Sequence, residues 1–164
     1  MVNNKPVDSV VVEDRVNNKP VDILVVEDNE SERASIVAAL QTTIPEVQVV
    51  SVHDGDEATD FLFARGEYKE RNGETPPRLI LMDLAMPGAD GFSVLGKIKS
   101  MEPQEALTLT PIVIFTDSQN AADIKESYRC GANSYVMKPV SYPDFQAVVE
   151  KIGQYWMTCN QVSS

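Results

Sequence analysis

The chain has 164 residues, 43% apolar and 24% charged, which fits one soluble domain large enough to bury a core. Its formal net charge is −11, from 14 Lys+Arg against 25 Asp+Glu with no basic cluster. That excludes a phosphate-tracking nucleic-acid surface and leaves the acid excess to solubility, with part of it free to hold a metal. No apolar run reaches membrane-spanning length and the first residues lack a signal-peptide core, so a soluble cytoplasmic protein with no membrane partner is expected. Cys130 and Cys159 lie far apart and read as reduced thiols.

The N-terminus repeats itself. Asn3-Asn4-Lys5-Pro6-Val7-Asp8 through Glu13-Asp14 returns as Asn17-Asn18-Lys19-Pro20-Val21-Asp22 through Glu27-Asp28. Only the second copy leads into a helix pattern. Residues 1–16 are therefore an extension that duplicates the first strand, either a cloning scar or an extra strand pairing with a sheet edge. Residues 17–164 are the domain.

From Val21 strands and helices alternate. Ile23 to Val26 is an apolar strand; Asn29 or Ser31 caps a helix whose inner face is Ile36, Val37 and Leu40. Val47 to Val52 reads as the second strand. Asp54-Gly55-Asp56 is a turn and cap, and Ala58, Phe61, Leu62 and Arg65 continue as helix two. Gly66 to Pro77 is a long polar loop. Leu79 to Met82 is the third strand, four apolar residues that stop at Asp83. Asp90-Gly91 opens helix three, with Phe92, Leu95 and Ile98 on its buried side, and Glu102 to Thr110 is a connection. Pro111 to Phe115 is strand four. Ala121 to Tyr128 is helix four, closed by Gly131. Ser134 to Met137 is strand five. Pro143 opens the last helix, whose stripe is Phe145, Val148, Val149, Ile152 and Trp156.

Five strands alternating with five helices indicate an α/β fold, doubly wound about a parallel sheet. The strand order 2-1-3-4-5 is one of two common solutions, which composition alone does not separate from a Rossmann order. In either, the strand ends meet at one edge. Strand one ends in Glu27-Asp28, strand three in Asp83, strand four in Thr116 and strand five in Lys138-Pro139. Close carboxylates repel unless a cation intervenes, and Mg²⁺ suits oxygen ligands that leave room for a phosphate. A lysine and a hydroxyl in the same cleft match a phosphoryl group, and Asp83 is the candidate nucleophile that becomes an aspartyl phosphate. Each piece alone has a plainer reading: a helix cap, a turn-stabilising acid, a solvated lysine. The joint order carries the weight.

These stretches resemble the receiver domain of two-component response regulators: Ile23-Leu24-Val25-Val26-Glu27-Asp28, Leu81-Met82-Asp83 through Asp90-Gly91, Ile112-Val113-Ile114-Phe115-Thr116, and Gly131-Ala132-Asn133-Ser134-Tyr135-Val136-Met137-Lys138-Pro139. The resemblance runs from about Val21 to Trp156 and implies the flavodoxin-like 2-1-3-4-5 sheet. It implies that Asp83 accepts a phosphoryl group from a sensor histidine kinase. Glu27, Asp28, Asp83 and the Ala85 carbonyl would hold Mg²⁺, Thr116 and Lys138 would contact the phosphoryl oxygens, and Thr116 with Tyr135 would form the switch. The Gly66–Pro77 loop, the Tyr128–Lys138 segment and Gln154-Tyr155-Trp156 are similar to single-domain regulators that partner bacterial and cyanobacterial phytochrome kinases. A stand-alone signalling protein, not an enzyme, is then expected, with output through a downstream protein partner or a homodimer and no nucleic-acid contact.

Two positions depart from the family. Ala85 stands where a polar residue commonly helps place the hydrolytic water, and Ser118 at the other such position offers neither acid nor amide, so slow autodephosphorylation is expected. Asp117 follows Thr116, where a small neutral residue is common. His53, the only histidine, reads as a half-buried strand-end residue. The rival is a Mg²⁺-dependent aspartate-nucleophile phosphohydrolase of the haloacid dehalogenase type. It would need an acid where Ala85 stands and its nucleophile after the first strand. An inactive receiver that only binds a partner is the third reading, against which the full acid, hydroxyl and lysine set argues.

Overall fold

The computed structural model describes residues 19–102 and 105–162; the duplicated segment expected over residues 1–16 lies outside them. Five short strands form one parallel sheet: β1 (Ile23–Val26), β2 (Val49–Val52), β3 (Leu79–Met82), β4 (Ile112–Thr116) and β5 (Ser134–Met137), in the order β2-β1-β3-β4-β5. The helices are α1 (Glu30–Thr43), α2 (Gly55–Leu62), α3 (Gly91–Lys99), α4 (Ala121–Arg129) and α5 (Tyr142–Gln154). β1, β3 and β4 are buried along their whole length. Their side chains alternate between two cores, as a strand covered on both faces requires. Leu24, Val26, Ile80, Met82, Ile112 and Ile114 join Phe61, Val94, Leu95 and Ile98 on one face. Ile23, Val25, Leu79, Leu81, Val113 and Phe115 join Ile36, Leu40, Phe145, Val149 and Ile152 on the other.

Each helix starts on the side-chain cap its first turn needs. Asn29, the first of the two expected candidates, accepts the Glu32 N–H at 2.9 Å. Asp54, Asp90, Asn120 and Ser141 cap the other four. Gly131, at φ +104°, turns the chain out of α4.

Several boundaries differ from expectation. The second strand pairs only from Val49, because Val47 closes a turn onto Ile44 O after Glu46 at φ +69°. Strand four is shifted by one residue to Ile112–Thr116, since Thr116 O still accepts the Lys138 N–H at 2.8 Å. Helix two stops at Leu62, short of Arg65, where Ala64 and Gly66 at positive φ reverse the chain. The polar Gly66–Pro77 loop contains a 3-10 turn over Gly66–Arg71. Tyr68 and Arg71, three apart and eclipsed in that geometry, both face α2. Tyr68 donates to Glu57 at 2.7 Å, and Arg71 Nε donates to Phe61 O at 3.0 Å. The Glu102–Thr110 connection likewise holds a 3-10 turn over Ala106–Leu109 that buries Leu107. Beyond Gln154 the last helix widens into a π-helical turn, Tyr155–Cys159, which buries Met157 and half-buries Trp156. Phe92, expected on the buried side of α3, is only half-buried, and Val94 takes that place. No helix among the described residues is long and apolar enough to cross a membrane.

Candidate functional site

The sheet order determines which residues meet. β1 and β3 are neighbours at the centre, where the winding reverses and a crevice opens beyond the strand ends. Glu27 and Asp28 follow β1, Asp83 follows β3, Thr116 ends β4 and Lys138 follows β5. The Asp83 N–H donates to Val26 O at 3.0 Å, so the acid leaves the sheet in register with β1.

Lys138 reaches across to three acids. Its Nζ donates to Asp83 Oδ2 at 2.7 Å, to Glu32 Oε2 at 2.6 Å and to Glu27 Oε1. Glu27, Asp83, Thr116 and Lys138 are all buried. Ionised groups taken out of water need partners, and here the acids and the ammonium supply each other's. Burial pushes the Asp83 carboxyl up, but the Lys138 ammonium and the hydrogen bonds with Thr116 and Glu27 outweigh it and hold it below the usual carboxylate range. Burial, then the neighbouring Glu32 carboxyl, push Glu27 up against the pull of Lys138. Burial lowers Lys138, yet its three acids raise it above the ordinary lysine range. The resulting nucleophile candidate is an ionised carboxylate at neutral pH, held by a cation.

Glu32 was not singled out in the sequence. Its signature there, an acid three residues after Asn29, is that of a helix-capping acid. In the fold the side chain turns into the cleft and meets Lys138. One oxygen from each of Glu27, Glu32 and Asp83 lies within 4.8 Å of the others. Glu27 Oε2 is buried with no hydrogen-bond partner. Three carboxylates, one with a spare buried oxygen, form a donor set that fits a hard divalent ion. Asp28 is exposed at the rim and is not part of this trio. Arg33 positions the loop between them: its Nη1 donates to Glu27 O at 2.8 Å and to Asp28 O at 3.4 Å, and the residue is 4% exposed. It too was absent from the sequence reading, because a buried arginine on a helix carries no local signal. Ala85 is exposed, and its N–H donates to Asp83 Oδ1 at 3.3 Å.

A second chain of contacts leaves the cleft through the loop after β4. The Ser118 N–H donates to Thr116 Oγ1 at 3.5 Å, and the half-buried Tyr135 donates from its hydroxyl to Ser118 O at 2.8 Å. His53 is exposed, not half-buried as expected: β2 is an edge strand that ends at Val52, and the imidazole reaches Asp54 at 3.2 Å and Glu57 at the start of α2. Both Cys130 and Cys159 are free thiols.

Residues 23–150 match the profile of the response regulator receiver domain. The probable methanogenesis regulatory protein FilR2 of Methanothrix harundinacea is 36% identical over 110 residues, 67% of this chain and 66% of that protein, so the chain spans about two thirds of that relative's length. Response regulator Rcp1 of Synechocystis sp. is 33% identical over 129 residues, 79% of this chain and 84% of its own. The crystal structure of its Mn²⁺-bound form aligns at a TM-score of 0.78 and 32% identity, covering 88% of this chain and 100% of that one. The phosphorylated cyanobacterial phytochrome response regulator RcpA aligns at a TM-score of 0.79 and 34% identity, over 89% of this chain and 100% of that one.

Proposed function

We propose a phosphoacceptor function on one established premise: this chain belongs to the response regulator receiver domain family, whose profile it matches over residues 23–150. The observation that carries the reading is the 2.7 Å contact between Lys138 Nζ and Asp83 Oδ2, made across 55 residues of sequence at the central strand ends. An Asp83 carboxylate oxygen attacks the phosphorus of a phosphohistidine on a partner kinase. The O–P bond forms, the P–N bond breaks, and the imidazole leaves with its electron pair. Lys138 then passes from the carboxylate to a phosphoryl oxygen, and the buried Thr116 hydroxyl donates to another. Glu27, Asp28 and Asp83, with the Ala85 carbonyl, are the groups to hold Mg²⁺, which when bound would offset the charge gathering on the phosphoryl oxygens.

Drawing Thr116 toward the phosphoryl group pulls on Ser118, which holds the Tyr135 hydroxyl. Tyr135 is then the reporter, and a local charge change becomes a change of surface. The unit that does this is residues 17–164, and its product is a signal, not a released compound. A histidine-bearing partner has a place to approach: a groove of about 170 Å³ beside Glu32, lined by Ser35, Pro139, Tyr142 and Phe145. Val140 and Tyr142 stand exposed at its edge. Likeness to a phosphorylated phytochrome response regulator supports a phytochrome-type sensor kinase in the cytoplasm as that partner, with a separate protein or a second copy receiving the output.

Incubation with acetyl phosphate and Mg²⁺, followed by intact mass, tests this. The parent should gain the mass of one phosphoryl group and Asp83→Asn none. Steady turnover of a phosphate ester in place of a stable adduct would favour the hydrolase instead.

A further inference from the structure

Among the described residues, the acids that meet in the cleft are Glu27, Glu32 and Asp83, and Glu32 alone of these comes from a helix and not a strand end. It sits in the first turn of α1, where the Asn29 cap fixes its backbone and leaves its side chain free to enter the site. Its carboxylate is 33% exposed while that of Glu27 is 1% exposed, so Glu32 stands between the buried acid and solvent. Both meet the same ammonium, Glu32 at 2.6 Å. Lys138 brings a single positive charge to Glu27, Glu32 and Asp83. The Glu27 side chain keeps a second buried oxygen, Oε2, with no hydrogen-bond partner, and one oxygen from each of Glu27, Glu32 and Asp83 lies within 4.8 Å of the others. Carboxylates held that close are stabilised by a divalent cation, which takes oxygen donors.

We propose that Glu32 is a further acid of the divalent-cation site, acting with Glu27 and Asp83, and that cation binding competes with its hold on Lys138. The proposal rests on the phosphoacceptor reading above and deepens it. Lys138 is divided among three carboxylates. A cation that takes over the carboxylates frees the ammonium for a phosphoryl oxygen. Glu32 thus couples the occupied state of the cation site to the readiness of the lysine. It also differs in kind from Asp28, which lies exposed at the rim and outside the trio.

Direct binding of Mn²⁺ to the full chain, followed by the electron paramagnetic resonance signal of the free ion and by competition with Mg²⁺, tests this without any phosphorylation. Four proteins are compared with the parent: Glu32→Gln, Glu32→Asp, Glu30→Gln and Asp83→Asn. Glu30 shares the first turn of α1 and is exposed, so Glu30→Gln measures the effect of removing one nearby charge. Glu32→Gln should weaken Mn²⁺ and Mg²⁺ about tenfold, as loss of a group around a metal commonly does. Glu32→Asp should recover most of that loss, and Glu30→Gln should stay at the parent value. Glu32→Gln binding no weaker than Glu30→Gln overturns the proposal while the phosphoacceptor site stands, provided Asp83→Asn still weakens binding. A parent that binds neither ion, or that binds no better than Asp83→Asn, overturns both.

Discussion

Lys138 is the residue on which the cleft turns. Its side chain is 2% exposed and faces three acids, so removing it leaves buried carboxylates with no counter-charge. Breaking a buried ion pair from one side costs more than the pair contributes, because the remaining charge keeps its desolvation penalty. Lys138→Met should lose about 3 kcal/mol in urea unfolding without divalent ions. Millimolar Mg²⁺ should return part of that loss by binding the folded state alone. A variant as stable as the parent in the absence of the ion would contradict this. Arg33 acts through the backbone, so Arg33→Ala should cost about 2 kcal/mol, the scale of lost charge-assisted hydrogen bonds to buried carbonyls. Ala85 bears on the lifetime of the phosphorylated form. No amide or acid stands there to orient a water, and Ala85→Asn should shorten the life of the phosphorylated form severalfold. An unchanged decay rate, followed by intact mass, would remove Ala85 from the explanation. These residues were unequally visible in the sequence. Asp83, Thr116 and Lys138 each stop an apolar strand, which marks them. Glu32 and Arg33 lie at the start of a helix, where an acid in the first turn and an arginine beside it are ordinary.

Among the elements, the first turn of α2 presses on the loop that follows Asp83. A Cβ at Gly55 would lie 1.8 Å from Ala89 O, so this glycine is required for close approach. Gly88, at φ +71°, brings the same loop against Asp56. Gly55→Ala must push the loop between β3 and α3 outward and should cost about 1–3 kcal/mol, the range for overpacking. Gly96 offers the contrast: nothing lies within 4 Å of a Cβ there, and Gly96→Ala in α3 should gain up to about 1 kcal/mol from helix propensity. Thermal melts of the pair check both signs, and a neutral Gly55→Ala would show that the loop yields freely. Strands and helices were legible here because apolar runs and 3.6-residue periods persist over several turns. The two 3-10 turns were not. Six residues carry one aromatic and one arginine toward the core, too few to show a period in a polar stretch. The π-helical turn after Gln154 was missed for the same reason, since it keeps the apolar stripe and alters only the spacing.

For the whole molecule, the parallel order β2-β1-β3-β4-β5 gathers distant residues at a single edge. Alternating strand and helix signals were enough to place Asp83 at that edge, because unbroken apolar strands have to be covered on both faces. They could not choose the strand order, which follows from long-range pairing and came from likeness of motifs. Four strand ends converge so that one β-carboxylate, that of Asp83, is expected to be phosphorylated while the neighbouring acids are not. Borohydride reduction of the phosphorylated protein followed by peptide mapping reads this directly, since an acyl phosphate is reduced to the alcohol. Homoserine at position 83 and unaltered Glu27, Asp28 and Glu32 is the predicted result. Reduction at any of those three acids, or none anywhere after a confirmed phosphoryl gain, would contradict it.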